Sequence, residues 1–491
     1  MIASPSHLFP FAAAPQPRRR ALLALAAATV LSGCALSPPH AAPESAQPSA
    51  WKEAPAVDGW MPAVPGDTLA AGEWWKRFGD PVLDELAGRV QVSNQNIAAA
   101  VASYNQAQAL VREQRAQLFP TVSLDGSGRR SGNVRGASNA ASSYSATLGA
   151  DWSVDLWGRL REAGTSAQAG AQASEADLAA ARLSAIGDLA TNYLTLRETD
   201  AEIALLAQSI EGYERALTIT RNRYEAGIAG QTDVLQARTQ LLSAQAELVG
   251  LQRNRAVLEH AVAVLVGAAP ADFKLAVAPW RPVVPTVPLS VPSQLLQRRP
   301  DIAAAERDVA SANAQIGIAR AAYFPTLNLS ASVGSSTSRV GDLFNASNML
   351  WALGLSAAQT LFDAGATGAR VDSARAAHEA AVARYRQGVL TAFQNVEDQL
   401  SAAAALAEQA GLRREASEAA DRTEQQQLNR YRAAQVSYTE VVSAQASALS
   451  ARRALAQVQL SRQTVAVGLI QAMGGGWEAP WLGSGGGTSR P

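Results

Sequence analysis

Residue types able to make and break bonds are sparse in this chain and far apart. The four histidines are His7, His40, His260 and His378, and the only cysteine is Cys34. No His/Cys set has metal-ligand spacing, and there is no glycine-rich phosphate loop and no nucleophile elbow. The sequence thus offers no catalytic residue, no metal site and no cofactor cradle. Lys plus Arg and Asp plus Glu each number 42, giving a formal net charge of +0, and no basic run follows the first twenty residues. Nucleic acid is therefore not an expected partner. What remains is one thiol near the N-terminus, together with arginines, tyrosines and carboxylates at helix ends.

The thiol has a telling context. Arg18, Arg19 and Arg20 precede an apolar run from Ala21 to Leu31 that is too short to span a bilayer as a helix, the pattern of a secretory signal over 1–33. It ends in Leu31-Ser32-Gly33-Cys34, small residues before a cysteine that resemble the bacterial lipobox. The resemblance implies a covalent diacylglycerol and an N-acyl chain, palmitate among the candidates, on Cys34 as the new N-terminus. Ala35, in place of the Asp of inner-membrane retention, implies an outer-membrane anchor. Such chains hold a protein at a surface without making it span. Removing 1–33 takes away three arginines and no acid, so the mature chain is about three charges negative.

The elements that must carry the remaining residues are long. From Val234 to Leu265, Val234, Leu241, Leu248, Arg255 and Val262 form one heptad row, and Ala237, Ala244, Leu251, Leu258 and Leu265 a second. The seam recurs 207 positions later as Val441, Ala448, Leu455, Arg462 and Leu469 beside Ala444, Ala451, Val458, Val465 and Ala472. Arginine interrupts both copies at the same place, which predicts two tandem repeats of one unit. Each seam helix is preceded by a proline-free stretch, near 158–225 and 365–433, predicted to be a helix of about 67 residues or ~100 Å. A helix of that length must lie along others for its whole course.

Between helices the hydrophobic period changes from near 3.6 to 2. Phe119-Pro120-Thr121 stops a helix over 94–118 because proline cannot continue its ladder. Val122 and Leu124 then alternate with polar residues, and a Gly/Ser/Asn/Arg-rich segment reaching Ala141 is expected to be a loop. The return strand puts Tyr144, Ala146, Leu148, Ala150, Trp152, Val154 and Leu156 on one face. Phe324-Pro325-Thr326 repeats the stop, and hairpins are expected over 121–157 and 326–362. Alternation of this kind suits half of a soluble sandwich, but one hairpin per repeat with spaced aromatics suits a membrane β-barrel better. Four strands cannot close a barrel, and open edges in lipid leave backbone groups unpaired. Three chains would supply twelve strands.

The expected fold class is therefore α+β: a coiled-coil helical barrel continuous with a membrane β-barrel, four strands per chain, two repeats, assembled as a homotrimer. The layout is a signal over 1–33, a lipidated spacer over 34–92 ordered from near Trp74, repeat 1 over 93–269, a proline-rich linker over 270–297, repeat 2 over 298–473 and a tail over 474–491.

Three stretches resemble the TolC-like outer-membrane factor family, in its NodT-type efflux lipoprotein subgroup. They are Trp74-Trp75 with Phe78-Gly79-Asp80-Pro81, Ser153-Val154-Asp155-Leu156-Trp157-Gly158-Arg159, and Pro292-Ser293-Gln294-Leu295-Leu296-Gln297-Arg298-Arg299-Pro300-Asp301-Ile302. The likeness runs from Trp74 to Trp477. It implies a trimeric outer-membrane duct that meets a periplasmic adaptor protein and an inner-membrane pump and exports drugs or other small molecules. A duct for type I protein secretion and a non-conducting periplasmic coiled-coil scaffold are the alternatives.

In that family the turns between long and short helices form a periplasmic gate. The matching residues are Arg223, Tyr224 and Asp233 in repeat 1 and Arg430, Tyr431, Thr439, Glu440 and Ser443 in repeat 2. Repeat 2 departs from the family pattern, with Ala434 where Gly is frequent and Thr439 and Ser443 where a hydrophobic residue and Asp narrow the pore. Asp233 and Glu440 match across the repeats and fit either a gate or ordinary helix-start acids favoured by the dipole. Arg255 and Arg462 fit either ion pairs that fix helix register or side chains snorkelling at a coil edge.

Overall fold

A computed structural model describes residues 37–44, 48, 50–53, 73–133, 136–287 and 298–477. Cys34 and the signal, most of the spacer, Pro292 through Gln297 and the tail from 478 lie outside them. The helices are α1 (Pro81–Ser93), α2 (Gln95–Ala116), α3 (Arg159–Glu225), α4 (Gln231–Leu265), α5 (Pro300–Ala321), α6 (Ala366–Arg432) and α7 (Tyr438–Ala472). The strands are β1 (Thr121–Asn133), β2 (Gly136–Val154), β3 (Thr326–Thr337) and β4 (Met349–Ala358). The same order of elements occurs twice: α3 and α6 both have 67 residues, and α4 and α7 both have 35.

The chain divides into two compact units. One comprises 1–41, 108–169 and 309–380 and holds the sheet. Its four strands run in the order β1-β2-β3-β4, all antiparallel. The register lines up like with like. Val122, Ala150, Ala331 and Leu353 form one cross-strand row, and Leu124, Leu148, Val333 and Trp351 the next. The alternate rows are small and polar: Ser123, Gly149, Ser332, Ala352, and Thr121, Asp151, Ser330, Gly354. Because side chains alternate faces, one face of the sheet is apolar and the other is not. The apolar face is bare, with Trp351 81% exposed and Leu124, Leu353 and Leu355 also exposed. Strands β1 and β4 are each paired on one side only.

The expected loop up to Ala141 is corrected here. Strand β1 continues to Asn133 and β2 starts at Gly136, pairing Ser127 with Ser145 and Arg130 with Ser142. Small polar residues make a poor strand by composition, but the β2 backbone satisfies their ladder, and Ser127 Oγ meets Ser145 Oγ at 2.8 Å. At their bases the strands are pinned by indoles. Trp152 Nε1 donates to Leu118 O at 2.9 Å, and Trp157 Nε1 donates to Pro325 O at 2.7 Å while its ring stacks on Phe324 at 4.9 Å.

The other unit comprises 42–107, 170–308 and 381–491. Asp80 caps α1 by accepting from the N–H groups of Val82 and Leu83, and Asn94 caps α2 from those of Asn96 and Ile97. The seam residues are the packed ones: Ala237, Ala244, Leu251 and Val262 of α4, and Val441, Ala448 and Leu469 of α7, are buried. One cluster joins Leu206, Ile210 and Tyr213 of α3 to Ala244 and Leu251 of α4 and Leu449 of α7. Order begins before Trp74, contrary to expectation. Trp51 packs edge-on against Phe393 at 5.8 Å, and Glu397 accepts from the N–H groups of Lys52 and Glu53. An apolar anchor and a carboxylate clip hold a segment that composition alone reads as spacer.

Candidate functional site

The turns after α3 and α6 are built alike from different residues. After α3, Ile228 N donates back to Arg223 O at 2.8 Å around Gly227, whose φ is 73°. After α6, Gln435 N donates to Arg430 O at 2.9 Å around Ala434, with φ 57°. That left-handed conformation suits glycine and costs a side-chain-bearing residue roughly 1–2 kcal/mol. The family glycine missing at 434 is thus missing at the position that needs it most.

Five of the expected gate residues have a specific place at these turns. Arg223 reaches across the repeats: its Nη1 donates to Tyr431 O at 3.0 Å, and its guanidinium carbon lies 4.6 Å from the centre of the Tyr431 ring. Tyr431 is buried and packs at 5.5 Å on Tyr438, in a core with Ala216, Ala237 and Val441. Thr439 Oγ1 meets Gln236 Oε1 at 3.3 Å. Thr439, Glu440 and Ser443 line a cleft of about 410 Å³ with Thr423 and Gln427.

The repeat counterparts fare differently. Tyr224, which matches Tyr431, is 45% exposed, and Arg430, which matches Arg223, is exposed and donates to Gln427 Oε1 at 3.5 Å. Asp233 is half-buried in the first turn of α4 and Glu440 exposed in the first turn of α7. Their carboxylates have only the helix start in common.

Tyr438 was not legible as a site residue. It is 1% exposed, and its hydroxyl has no hydrogen-bond partner among the described residues. Burial, with Tyr431 and Tyr213 nearby, pushes its phenol up to about 12. Tyr431 and Tyr438 belong to different helices, so their spacing carries no periodic signal.

Arg255 proves to be an ion-pair residue and Arg462 does not. Arg255 Nε meets Asp200 Oδ1 at 2.6 Å, its Nη1 meets Glu259 at 3.3 Å, and its Nη2 donates to Leu275 O at 2.8 Å. Arg197, also buried, binds Asp200 at 3.2 Å, Ala276 O at 2.7 Å and the Tyr193 hydroxyl at 2.9 Å. The Tyr193 hydroxyl in turn donates to Asp80, the cap of α1. Arg462 is half-buried and forms no ion pair with the described residues. The equivalent role falls to its neighbour Gln463, 1% exposed, which accepts from Trp280 Nε1 at 3.0 Å and donates to the carbonyls of Arg281 and Val283. Both short helices thus grip the chain that follows α4.

Among the described residues no group of three His, Cys, Asp or Glu side chains is placed to hold a metal, and no helix is long and apolar enough to cross a membrane. The bare apolar sheet face with two open edges, and a turn cluster linking the repeats, are the features with functional geometry.

Known proteins are similar to this chain in sequence and in fold. The sequence model of the outer membrane efflux protein family matches twice, over residues 86–268 and 291–475. The chain is 34% identical over 467 residues to the antibiotic efflux pump outer membrane protein ArpC of Pseudomonas putida, covering 93% of this chain and 96% of that one. It is 31% identical over 466 residues to the pyoverdine export outer membrane protein OpmQ of Pseudomonas aeruginosa, with coverage of 93% and 96%. Among solved structures it is similar to the outer-membrane channel OprN, with a TM-score of 0.80 at 29% identity over 90% of this chain and 99% of that one. It is equally similar to the open state of the MtrE outer membrane channel of Neisseria gonorrhoeae, with a TM-score of 0.80 at 28% identity and coverage of 90% and 98%.

Proposed function

This chain belongs to the outer membrane efflux protein family, and from that premise we propose that three copies assemble into a passive duct carrying small molecules from the periplasm to the exterior. It is an outer-membrane efflux component. The observation that carries the rest is the sheet: a bare apolar face, a small polar face and two unpaired edges. Lipid tolerates such a sheet only when its edges are closed. Three copies give twelve strands, within the range of known barrels, with small polar side chains toward water.

In this reading α3, α4, α6 and α7 form the periplasmic wall as a duplicated pair of coils. Acyl chains on Cys34 anchor the N-terminus in the outer membrane. A periplasmic adaptor and an inner-membrane pump dock on the helical end, and the pump supplies the energy. The duct needs no cofactor and performs no catalysis. The cargo is of the drug and small-metabolite class; the two Pseudomonas relatives are named for antibiotic efflux and pyoverdine export.

The turns are the gate. Arg223, Tyr431 and Thr439 hold the two repeats together, Tyr224, Asp233 and Arg430 flank them, and Glu440 and Ser443 face the cleft. The purified protein is expected to have the mass of three chains and to conduct ions in planar bilayers. Tyr431→Ala, which removes the ring under Arg223, is expected to raise the resting conductance severalfold. A monomer that does not conduct sinks the duct; unchanged conductance in Tyr431→Ala sinks only the gate.

A further inference from the structure

The contact that joins the repeats at their turns is made within the chain, and the residues for a second such contact are also present. The long helices start at Arg159 and Ala366 and the short ones at Gln231 and Tyr438, an offset of 207 in both cases. In the contact that is made, Tyr431 and Tyr438 of repeat 2 pack against Ala216 and Ala237 of repeat 1. Thr220 Oγ1 lies 3.3 Å from the Tyr431 hydroxyl, and Arg223 covers the Tyr431 ring. The residues of repeat 2 that match Ala216, Thr220 and Ala237 are Thr423, Gln427 and Ala444, and they line the open cleft of about 410 Å³ between α6 and α7. Thr423 is exposed where Ala216 is buried. The socket is built twice and, among the described residues, filled once. Tyr224, the match of Tyr431, is exposed, and Arg430, the match of Arg223, donates to Gln427 Oε1 at 3.5 Å, which puts its guanidinium beside the cleft.

The short helices show the same imbalance along their length. In α7, Val442 packs on the Tyr431 cluster, Leu449 packs with Leu206, Ile210 and Leu251 of repeat 1, and Ala456 is buried. Their matches in α4 are Leu235, Leu242 and Val249, which are 55%, 52% and 65% exposed. Apolar residues seven apart on a long helix form a packing row, and a row left open to water marks an interaction site. One chain has one repeat 2, and its own row is already seated on repeat 1. Repeats joined head to tail carry an open socket on one flank and an unmatched row on the other. Contacts of that kind pass from copy to copy until a ring closes.

We propose that the cleft between α6 and α7 receives Tyr224 of a second copy of this chain, with Arg430 over the Tyr224 ring and Gln427 at its hydroxyl. Guanidinium over phenol is a favourable pairing, and the Gln427 amide can both donate and accept. Leu235, Leu242 and Val249 of the incoming copy then lie along the α6 and α7 pair, as Val442, Leu449 and Ala456 lie along repeat 1. The proposal rests on the reading of the protein as an assembly of three copies and names the surface by which one copy recognises the next.

The test puts the photoreactive residue p-benzoylphenylalanine at position 224 of the full chain and irradiates the cells that produce it. Bands of two and three crosslinked chains are expected, with the joined peptide mapping between Ala420 and Ser447 of another copy. Thr423→Arg, which overfills the cleft, is expected to cut the crosslinked fraction about tenfold. Should the photoreactive residue itself block assembly, Tyr224→Ala and Arg430→Gln are compared singly and together. Each is expected to lower the temperature at which the three-chain species comes apart in SDS, and the pair to lower it no further than the larger single loss. Losses that add overturn the proposal. Crosslinks that map to another surface, or that join a different protein, overturn it too, and leave the three-copy reading intact so long as the purified wild type has the mass of three chains. A wild type with the mass of one chain fails that reading, and this proposal with it.

Discussion

At the scale of single residues, two buried groups at unfavourable sites have measurable consequences. The Tyr438 hydroxyl is buried without a partner among the described residues, and leaving such a group unsatisfied costs about 1–3 kcal/mol. Tyr438→Phe removes the hydroxyl and keeps the ring on Tyr431, so thermal unfolding is expected to shift upward by the equivalent of about 1 kcal/mol. Glu198 is 6% exposed, and burial, reinforced by Glu202 and opposed by Arg453, pushes its carboxyl up to about 7. The folded chain then holds this proton up to neutrality, while the unfolded chain releases it near the ordinary glutamate value. Stability from this group is therefore greatest at the acidic end of that window and falls as pH rises through it, by about 3 kcal/mol in all. Glu198→Gln is expected to flatten the dependence of melting temperature on pH between about 5 and 7.5; an unchanged slope would assign it to other groups.

At the scale of elements, the clamp on the chain after α4 separates two arginines that look identical in sequence. Asp200, whose side chain is 2% exposed, is held by both Arg197 and Arg255, so Arg255→Ala strips one partner from a buried charge. A loss of about 3 kcal/mol is expected, against less than about 1 kcal/mol for Arg462→Ala, both read by denaturant unfolding. The long helices were legible because no proline interrupts their 67 residues, and α3 ends at Glu225, just before the left-handed Gly227 that its composition signals. Strand β2 was legible from the alternation Tyr144 to Val154. What escaped was decided by partners remote in sequence. Gly126 to Asn133 are strand because β2 pairs with them, Arg223 chooses Tyr431 instead of its own repeat's Tyr224, and Gln463 takes the role expected of Arg462. Periodicity reports which face of an element is buried, not what waits on the other side.

At the scale of the whole molecule, a closed twelve-stranded barrel requires β1 of one chain to pair with β4 of the next. With Cys34 the only native cysteine, cysteines placed at Leu124 and along 350–357 are expected to give oxidised bands of two and three chains and none larger, because a ring of three has no free edge. An open-ended ladder would replace the ring by a filament. The same sheet also dictates an order of events. Each helical hairpin closes through a turn of a few residues, but Leu148 must find Val333 nearly two hundred residues away. Pairings so distant in the chain form late. The coils are therefore expected to be in place while β2 and β3 are still apart, so that the protein finishes its water-soluble part first and commits to the bilayer last.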